Sequence, residues 1–302
     1  MYERITANRW RTFALFLASV ALLVGLGWVF GLLIGSGIGG IVIALILATV
    51  LSITSYRFGD KLVLAAARAK RVTREEEPRL HNLVEGLCIA AGMDTVPAIY
   101  VVPEDAPNAF ATGRDPKHSS IAVTRGLLDR LNRVELEGVL AHELSHVTNR
   151  DILVGTIAAT LAGAVVLLAD IFLRSLWFGG GRRRGGDREG AGTAFLFLIV
   201  LGIVLALLAP LFAQLIRLAI SRRREYLADA TGAMLTRYPP GLAAALKKIA
   251  ADSTPMRVTN NATAHLWLSP PSRTPGDGTP LWERLFSTHP PIAERIRLLE
   301  DM

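Results

Sequence analysis

The sequence predicts a mainly α-helical, multi-pass membrane protein: four transmembrane helices carrying a cytoplasmic α+β domain with a small sheet. Three observations carry that reading. Of 302 residues, 51% are hydrophobic and only 20% charged, with a mean hydropathy of +0.38, which is too apolar for an ordinary soluble domain. Four apolar runs are long enough to span a bilayer. Between them lie shorter helical and strand patterns punctuated by Gly and Pro. The formal net charge of +7 suits nucleic acid, but the basic residues flank apolar runs: Arg4, Arg9 and Arg11 at one, Arg222, Arg223 and Arg224 at another. That placement is the membrane's, and no aromatic-plus-basic module accompanies it, so lipid is the expected partner and nucleic acid is not.

Phe13 to Ile34 forms the first run and Ile38 to Tyr56 the second, joined by a short Gly/Ser-rich turn. The first is too long for a signal-peptide core and a second span follows at once, so residues 1–56 read as a retained hairpin. Residues 57–151 follow as a polar region. Within it Glu75 to Ala91 has helical spacing of Leu80, Leu83, Val84 and Leu87, stopped by Gly92. Ala98 to Val102 and Ser119 to Val123 read as strands, with Asn108 to Gly113 between them. A second membrane hairpin occupies 152–220, with runs from Ile152 to about Phe178 and from Ala194 to about Ile220. Residues 221–302 complete the polar part: a helical pattern from Glu225 to Ala250 broken at Pro239-Pro240-Gly241, a loop from Ser269 to Pro280, and an amphipathic helix from Ile292 to Leu299.

Positive residues set the orientation. The first turn is uncharged, whereas the N-terminus and the stretch from Arg57 to Arg150 are rich in Lys and Arg, which puts the N-terminus and both polar regions on the cytoplasmic side. Arg182, Arg183 and Arg184 run against this, since the same topology places their loop outside. Asp170 is the one acid within an apolar run, and Arg174 one turn on supplies a structural partner. The single cysteine, Cys88, excludes an internal disulfide and reads as a small buried hydrophobe.

The sharpest chemical signal is His142-Glu143-Leu144-Ser145-His146. From Val134 to Val154 there is no proline and Gly138 is the sole glycine, so the run reads as one helix. Histidines four apart share a helical face and can reach one ion, and a glutamate beside the first is placed to take a proton from water. A catalytic zinc needs a third protein ligand. Glu225, Asp229, His265 and His289 are the candidates. Glu225 is the best placed, because Asp229 one turn later could orient a ligand histidine. The alternative for Glu225 is an acid balancing Arg222 to Arg224. If both helices run straight out of the bilayer, His142 and Glu225 lie at one height, about 14 Å beyond it.

With these motifs in order, the chain resembles the HtpX-type membrane zinc metalloproteases, relatives of the CAAX prenyl endopeptidases. The resemblance spans two N-terminal passes, Asn108 to Gly113, the His142 helix, a second hairpin, Glu225 to Asp229, Thr263-Ala264-His265, Ser287-Thr288-His289-Pro290-Pro291 and Glu294-Arg295-Ile296. It implies a zincin-like (gluzincin) protease domain. His142, His146 and Glu225 would hold one Zn2+ per chain, with Glu143 as general base and Asp229 behind the ligands. His289 and Arg295 would border the site and serve the developing oxyanion, and Asn108, Ala109 and Phe110 would line the substrate cleft. The implied activity is hydrolysis of misfolded or damaged membrane proteins at the cytoplasmic face of the cell membrane, with no small-molecule cofactor. The alternatives are a selective processing enzyme of the prenyl-protein kind and a non-catalytic membrane scaffold. His289 could also be a plain loop residue, and Arg295 a partner of Glu294 or Glu300. His81 and His118 are left as surface or core histidines. The stretch from Arg273 to Thr279 and the Gly/Arg-rich loop Gly179 to Gly192 depart from the family pattern.

Overall fold

The computed structural model describes residues 37–160, 222–257, 266–269 and 290–302, together with isolated helical positions between residues 10 and 28. The first complete helix, α1 (Gly37–Ala66), extends ten residues past the apolar run ending at Tyr56. Its stretch Ile41–Ala66, 26 residues, is long and apolar enough to cross a membrane, and among the described residues it alone meets that test. Val42, Ile43, Ile46, Val50 and Ile53 lie exposed along it, as lipid-facing side chains would. The run from Phe13 to Ile34 is described only at isolated positions. The third run lies outside the described residues beyond residue 160, as do the fourth run and the Asp170–Arg174 pair.

Both sequence-read strands form, and a third lies between them. β1 (Lys70–Arg71), β2 (Ala98–Val102), β3 (Ala109–Asp115) and β4 (His118–Thr124) make a four-stranded mixed sheet in the order β1-β2-β4-β3. β2 and β4 are parallel and the other pairs antiparallel. α2 (Pro78–Ala90) lies between β1 and β2, starting three residues later than its pattern because Pro at the first helical position fixes the start. α3 (Arg125–Arg130) and α4 (Arg133–Thr148) follow it.

Strand alternation gives the sheet two apolar faces. Ile121 and Val123 face a core built with Leu83 and Leu87 of α2 and Leu136, Leu140 and Leu144 of α4. Phe110 and Ala122 face the other way, onto Val63, Leu64 and Ala67 at the end of α1 and onto Trp267. The membrane-length helix therefore packs directly beneath the sheet, and Cys88 is buried on the α2 side as expected.

One expectation is corrected. The His142 helix does not run on into the third apolar segment. It ends at Thr148, Arg150 adopts the left-handed conformation (φ 56°), and a new helix, α5, opens at residue 152. The Arg150 N–H donates to the Val147 carbonyl (3.2 Å) and the Asp151 N–H to the His146 carbonyl (3.2 Å). Those paired bonds form a Schellman motif, with Arg where glycine is usual. No Gly or Pro marks the turn, so the sequence hid it, and the straight-rod estimate of height above the bilayer does not hold.

Beyond the undescribed segment come α6 (Arg222–Thr236) and α7 (Pro239–Ala251), separated by Arg237 in the left-handed region. α8 (Ile292–Glu300) closes the chain against α7.

Candidate metal centre

α4 is fixed before it carries any chemistry. Asn132 caps it in a reciprocal box with Glu135, and Glu135 also accepts from Lys248 Nζ of α7 (2.7 Å). Two glycines then let neighbouring backbones close in. A Cβ on Gly138 would lie 2.7 Å from the Leu242 nitrogen of α7, and one on Gly232 of α6 would lie 3.0 Å from the His142 nitrogen. Ser145 Oγ donates to the His142 carbonyl and reaches the Ala228 carbonyl (3.3 Å), stitching α4 to α6 at the site's level.

That approach brings Glu225, 83 positions after His142, to the two imidazoles. The facing His142 and His146 Nε2 atoms are 3.2 Å apart. Glu225 oxygens lie 3.7 Å from His142 Nε2 and 3.8 Å from His146 Nε2. The three side chains form the one candidate metal-ligand group among the described residues. Two nitrogens each about 2.0–2.1 Å from a tetrahedral zinc stand about 3.3 Å apart, so the pair is already at ligand spacing.

Both outer nitrogens are engaged. His142 Nδ1 lies 2.8 Å from Asp229 Oδ1, and His146 Nδ1 lies 3.2 Å from Asp151 Oδ2. Each contact places a proton on Nδ1 and leaves the Nε2 lone pair facing the centre. Asp229 is in turn gripped by Arg295, whose Nε and Nη2 donate to its two oxygens at 2.8 and 2.7 Å. Arg295 is only 1% exposed. Its Nη1 donates to the Leu268 carbonyl (3.3 Å), and its Nη2 lies 3.4 Å from His142 Nδ1. It pairs with neither Glu294 nor Glu300. It does border the site: Nε and Nη2 hold Asp229, and Nη1 also lies 3.7 Å from Glu225 Oε2, an arrangement that orients the carboxylates around the imidazoles.

Negative charge gathers here. Glu143 and Glu225 are buried beside the two imidazoles with Asp151 behind them, and Arg295 hydrogen-bonds Asp229 while its Nη1 also lies 3.7 Å from Glu225 Oε2. Burial pushes the Glu143 carboxyl above its ordinary range, against the pull of the histidines. Burial alone would lower His146, but Asp151, then Glu225 and Glu143, outweigh it and raise the imidazole to about 10. Asp229 is likewise held low by Arg295 and His142 despite its burial. A divalent ion taking the place of the His146 proton answers the same field. The donor set, two imidazoles and one carboxylate, is that of a catalytic zinc site.

Asn108, Ala109 and Phe110 are buried at the start of β3, the sheet's edge strand beside α4. Asn108 uses its amide at both ends: Nδ2 donates to the Ser269 carbonyl (2.8 Å), and Oδ1 accepts from the Ala109 and Ser269 N–H groups. The Ala109 carbonyl accepts from the Leu268 N–H (2.9 Å), and Phe110 packs edge-on to Trp267 with centroids 4.7 Å apart. No local pattern announces this short strap, residues 266–269, nor Asp151 behind His146. His265 and His289 lie outside the described residues. His81 Nε2 donates to the Val72 carbonyl and His118 pairs with Asp115, both away from the centre.

Residues 74–302 match the family described as peptidase family M48. The whole chain is 44% identical to a protease HtpX homolog of Thermoanaerobacter pseudethanolicus, covering 98% of that protein. It is 47% identical to a protease HtpX homolog of Syntrophobacter fumaroxidans over 98% of this chain and 99% of the relative. Identity is also 47% to one from Pyrococcus furiosus, over 97% and 95%. Among solved structures, the crystal structure of S. mikatae Ste24p aligns with 99% of this chain and 67% of its own, at a TM-score of 0.50 and 20% identity, a likeness of fold.

Proposed function

The chain belongs to peptidase family M48 and is a metalloprotease, and we propose that it is a zinc-dependent endopeptidase of the cell membrane, cutting misfolded or damaged membrane proteins at the cytoplasmic face. One observation carries the chemistry: two histidine Nε2 atoms 3.2 Å apart, with Glu225 closing the third side and both Nδ1 atoms turned outward onto carboxylates. His142, His146 and Glu225 would hold the zinc. The chemistry it supplies when bound is Lewis acidity toward water and toward a peptide carbonyl.

Glu143 takes the proton from the attacking water at its carboxylate and passes it to the leaving amine nitrogen. Its burial, which raises its proton affinity, suits the second half of that task. Asp229, held by Arg295, keeps His142 in the tautomer that leaves Nε2 free. His289 is the residue proposed to meet the developing oxyanion.

An extended substrate segment pairs with β3 at Ala111. The Ala109 carbonyl is closed by Leu268 and the Gly113 N–H donates to Thr156 Oγ1 (3.1 Å), while nothing among the described residues bonds the outward groups of Ala111. The membrane setting is supported by α1, which has spanning length and ends beneath the sheet, and by the Lys and Arg distribution that orients the polar regions inward. Unfolded or membrane-embedded substrates follow from a site built close to a lipid-spanning helix.

The test uses detergent-purified full-length chain and an unfolded protein substrate, with chelator and zinc add-back. Glu143→Gln is expected to keep one zinc per chain and lose at least a hundredfold in cleavage rate. Wild-type cleavage by that variant, or cleavage by wild type that survives chelation, overturns the reading.

A further inference from the structure

We infer that Asp151 is a positioning residue: its carboxylate fixes the tautomer and orientation of His146, and the Schellman turn at Arg150 exists in this chain to deliver it there. The inference rests on the metal-site reading above and assigns a residue that the ligand motif does not contain.

Asp151 stands immediately before α5, the position where an aspartate ordinarily caps a helix by accepting the N–H groups of its first turn. Here it does not. Oδ2 is 3.2 Å from His146 Nδ1, and Oδ1 is buried without a hydrogen-bond partner. A carboxylate at the head of a helix, with one oxygen idle, has been drawn away from the cap by a stronger claim. That claim is the imidazole.

The turn supplies the geometry. In a Schellman motif the residue two past the helix cap folds back onto the residue three before it, and an apolar contact normally joins that pair. In α4 those two positions are Asp151 and His146, whose backbones are already bonded, N–H to carbonyl, at 3.2 Å. The usual apolar contact is replaced by an imidazole–carboxylate bond. Arg150 adopts φ 56° to permit this, a conformation that costs a non-glycine residue free energy. His146 is also the less enclosed of the two histidines, its side chain 17% exposed against 1% for His142, and among the described residues no other side chain steadies its outer nitrogen. Without Asp151 the ring could rotate or present a protonated Nε2 to the centre.

The experiment measures zinc affinity, by competition with a chromophoric chelator, for full-length wild type, Asp151→Ala and Asp151→Asn. Thermal unfolding of the metal-free forms runs alongside. Asp151→Ala is expected to weaken zinc binding 10–100-fold. Asp151→Asn, which retains an acceptor oxygen and helix-capping ability, is expected to lose less than Asp151→Ala. Asp151→Ala binding zinc within twofold of wild type overturns the proposal. So does an Asn variant as weak as the Ala variant whose metal-free melting has fallen equally, because the role is then structural. If Asp151→Ala does not fold, Asp151→Asn decides: affinity between wild type and tenfold weaker supports the assignment, and any greater loss overturns it. Wild type that binds no zinc would instead refute the metal site itself.

Discussion

His142 and His146 sit one turn apart on one helix, yet the structure holds them in opposite ways. The His142 arm is assembled from three distant segments: Asp229 from α6 accepts its Nδ1 proton, and Arg295 from α8 locks Asp229 with two hydrogen bonds. All three side chains are nearly sealed from solvent. The His146 arm is local, a single carboxylate five residues on, with one oxygen idle and the imidazole partly exposed. The first arm joins fold stability to ligand geometry, and the second serves ligand geometry first, adding to stability through the His146 proton in the metal-free chain. Damage to the first should destabilise the chain strongly, whereas damage to the second should mainly loosen the metal.

The largest effect tests the first arm. Arg295→Met leaves the Asp229 charge buried 66 positions from its lost partner with only an imidazole beside it. Removing one member of a buried pair costs about 3–5 kcal/mol. Denaturant unfolding of the metal-free chain is expected to show a loss of that order, with zinc affinity falling too. A loss below about 1 kcal/mol would mean that the clamp is not what joins α6 and α8, and the contrast between the arms would vanish.

The two arms also differ in how far the sequence revealed them. The helical pair and its glutamate were legible because a spacing of four is a local geometric fact. Glu225 with Asp229 one turn on was legible as a pair, but the sequence left Glu225 balanced between ligand and surface acid. What settles its location is the close approach at Gly232, a packing relation between segments that no local pattern encodes. Arg295 is placed near the site only by family resemblance, and of the pairings the sequence leaves open for it none is Asp229, which the fold brings from 66 positions away. Asp151 was missed for the opposite reason. It is local, but the turn that makes it local carries Asn and Arg where Gly would have announced it, so Val134 to Val154 read as one rod. β3 escaped notice because Asn108 to Gly113 has small residues and little apolar alternation. The strands on either side, bounded by Pro and Gly, were plain.

A smaller effect separates the arms by pH. In the metal-free chain His146 is raised from its ordinary 6.5 to about 10, since Asp151, Glu225 and Glu143 outweigh its burial. A raised folded-state value means that protonation stabilises the fold. That contribution is fully present below about pH 6.5 and is lost as pH climbs toward 10. Metal-free protein is therefore expected to lose stability across that window. The zinc-loaded form, in which no proton occupies the imidazole Nε2, is expected to show a flatter profile. Because His146 carries the shift, Asp151→Asn should reduce the slope in the metal-free protein. Parallel profiles for loaded and stripped chain would show that the proton and the ion do not compete for the same nitrogen.

The smallest effect concerns the turn itself. Arg150 occupies a left-handed conformation that glycine adopts freely, so Arg150→Gly removes strain from the folded state while making the unfolded chain more flexible. The two nearly offset, and a gain of up to about 1 kcal/mol in stability is expected with zinc affinity unchanged. Arg150→Val has the opposite character, because a β-branched side chain resists φ near 56°. It would push the Schellman turn open, draw Asp151 away from His146, and weaken zinc binding as Asp151→Ala does, while leaving the His142 arm and its buried clamp in place. If Arg150→Val binds zinc as tightly as Arg150→Gly, the turn is merely the end of a helix, and the second histidine needs no carboxylate to hold it.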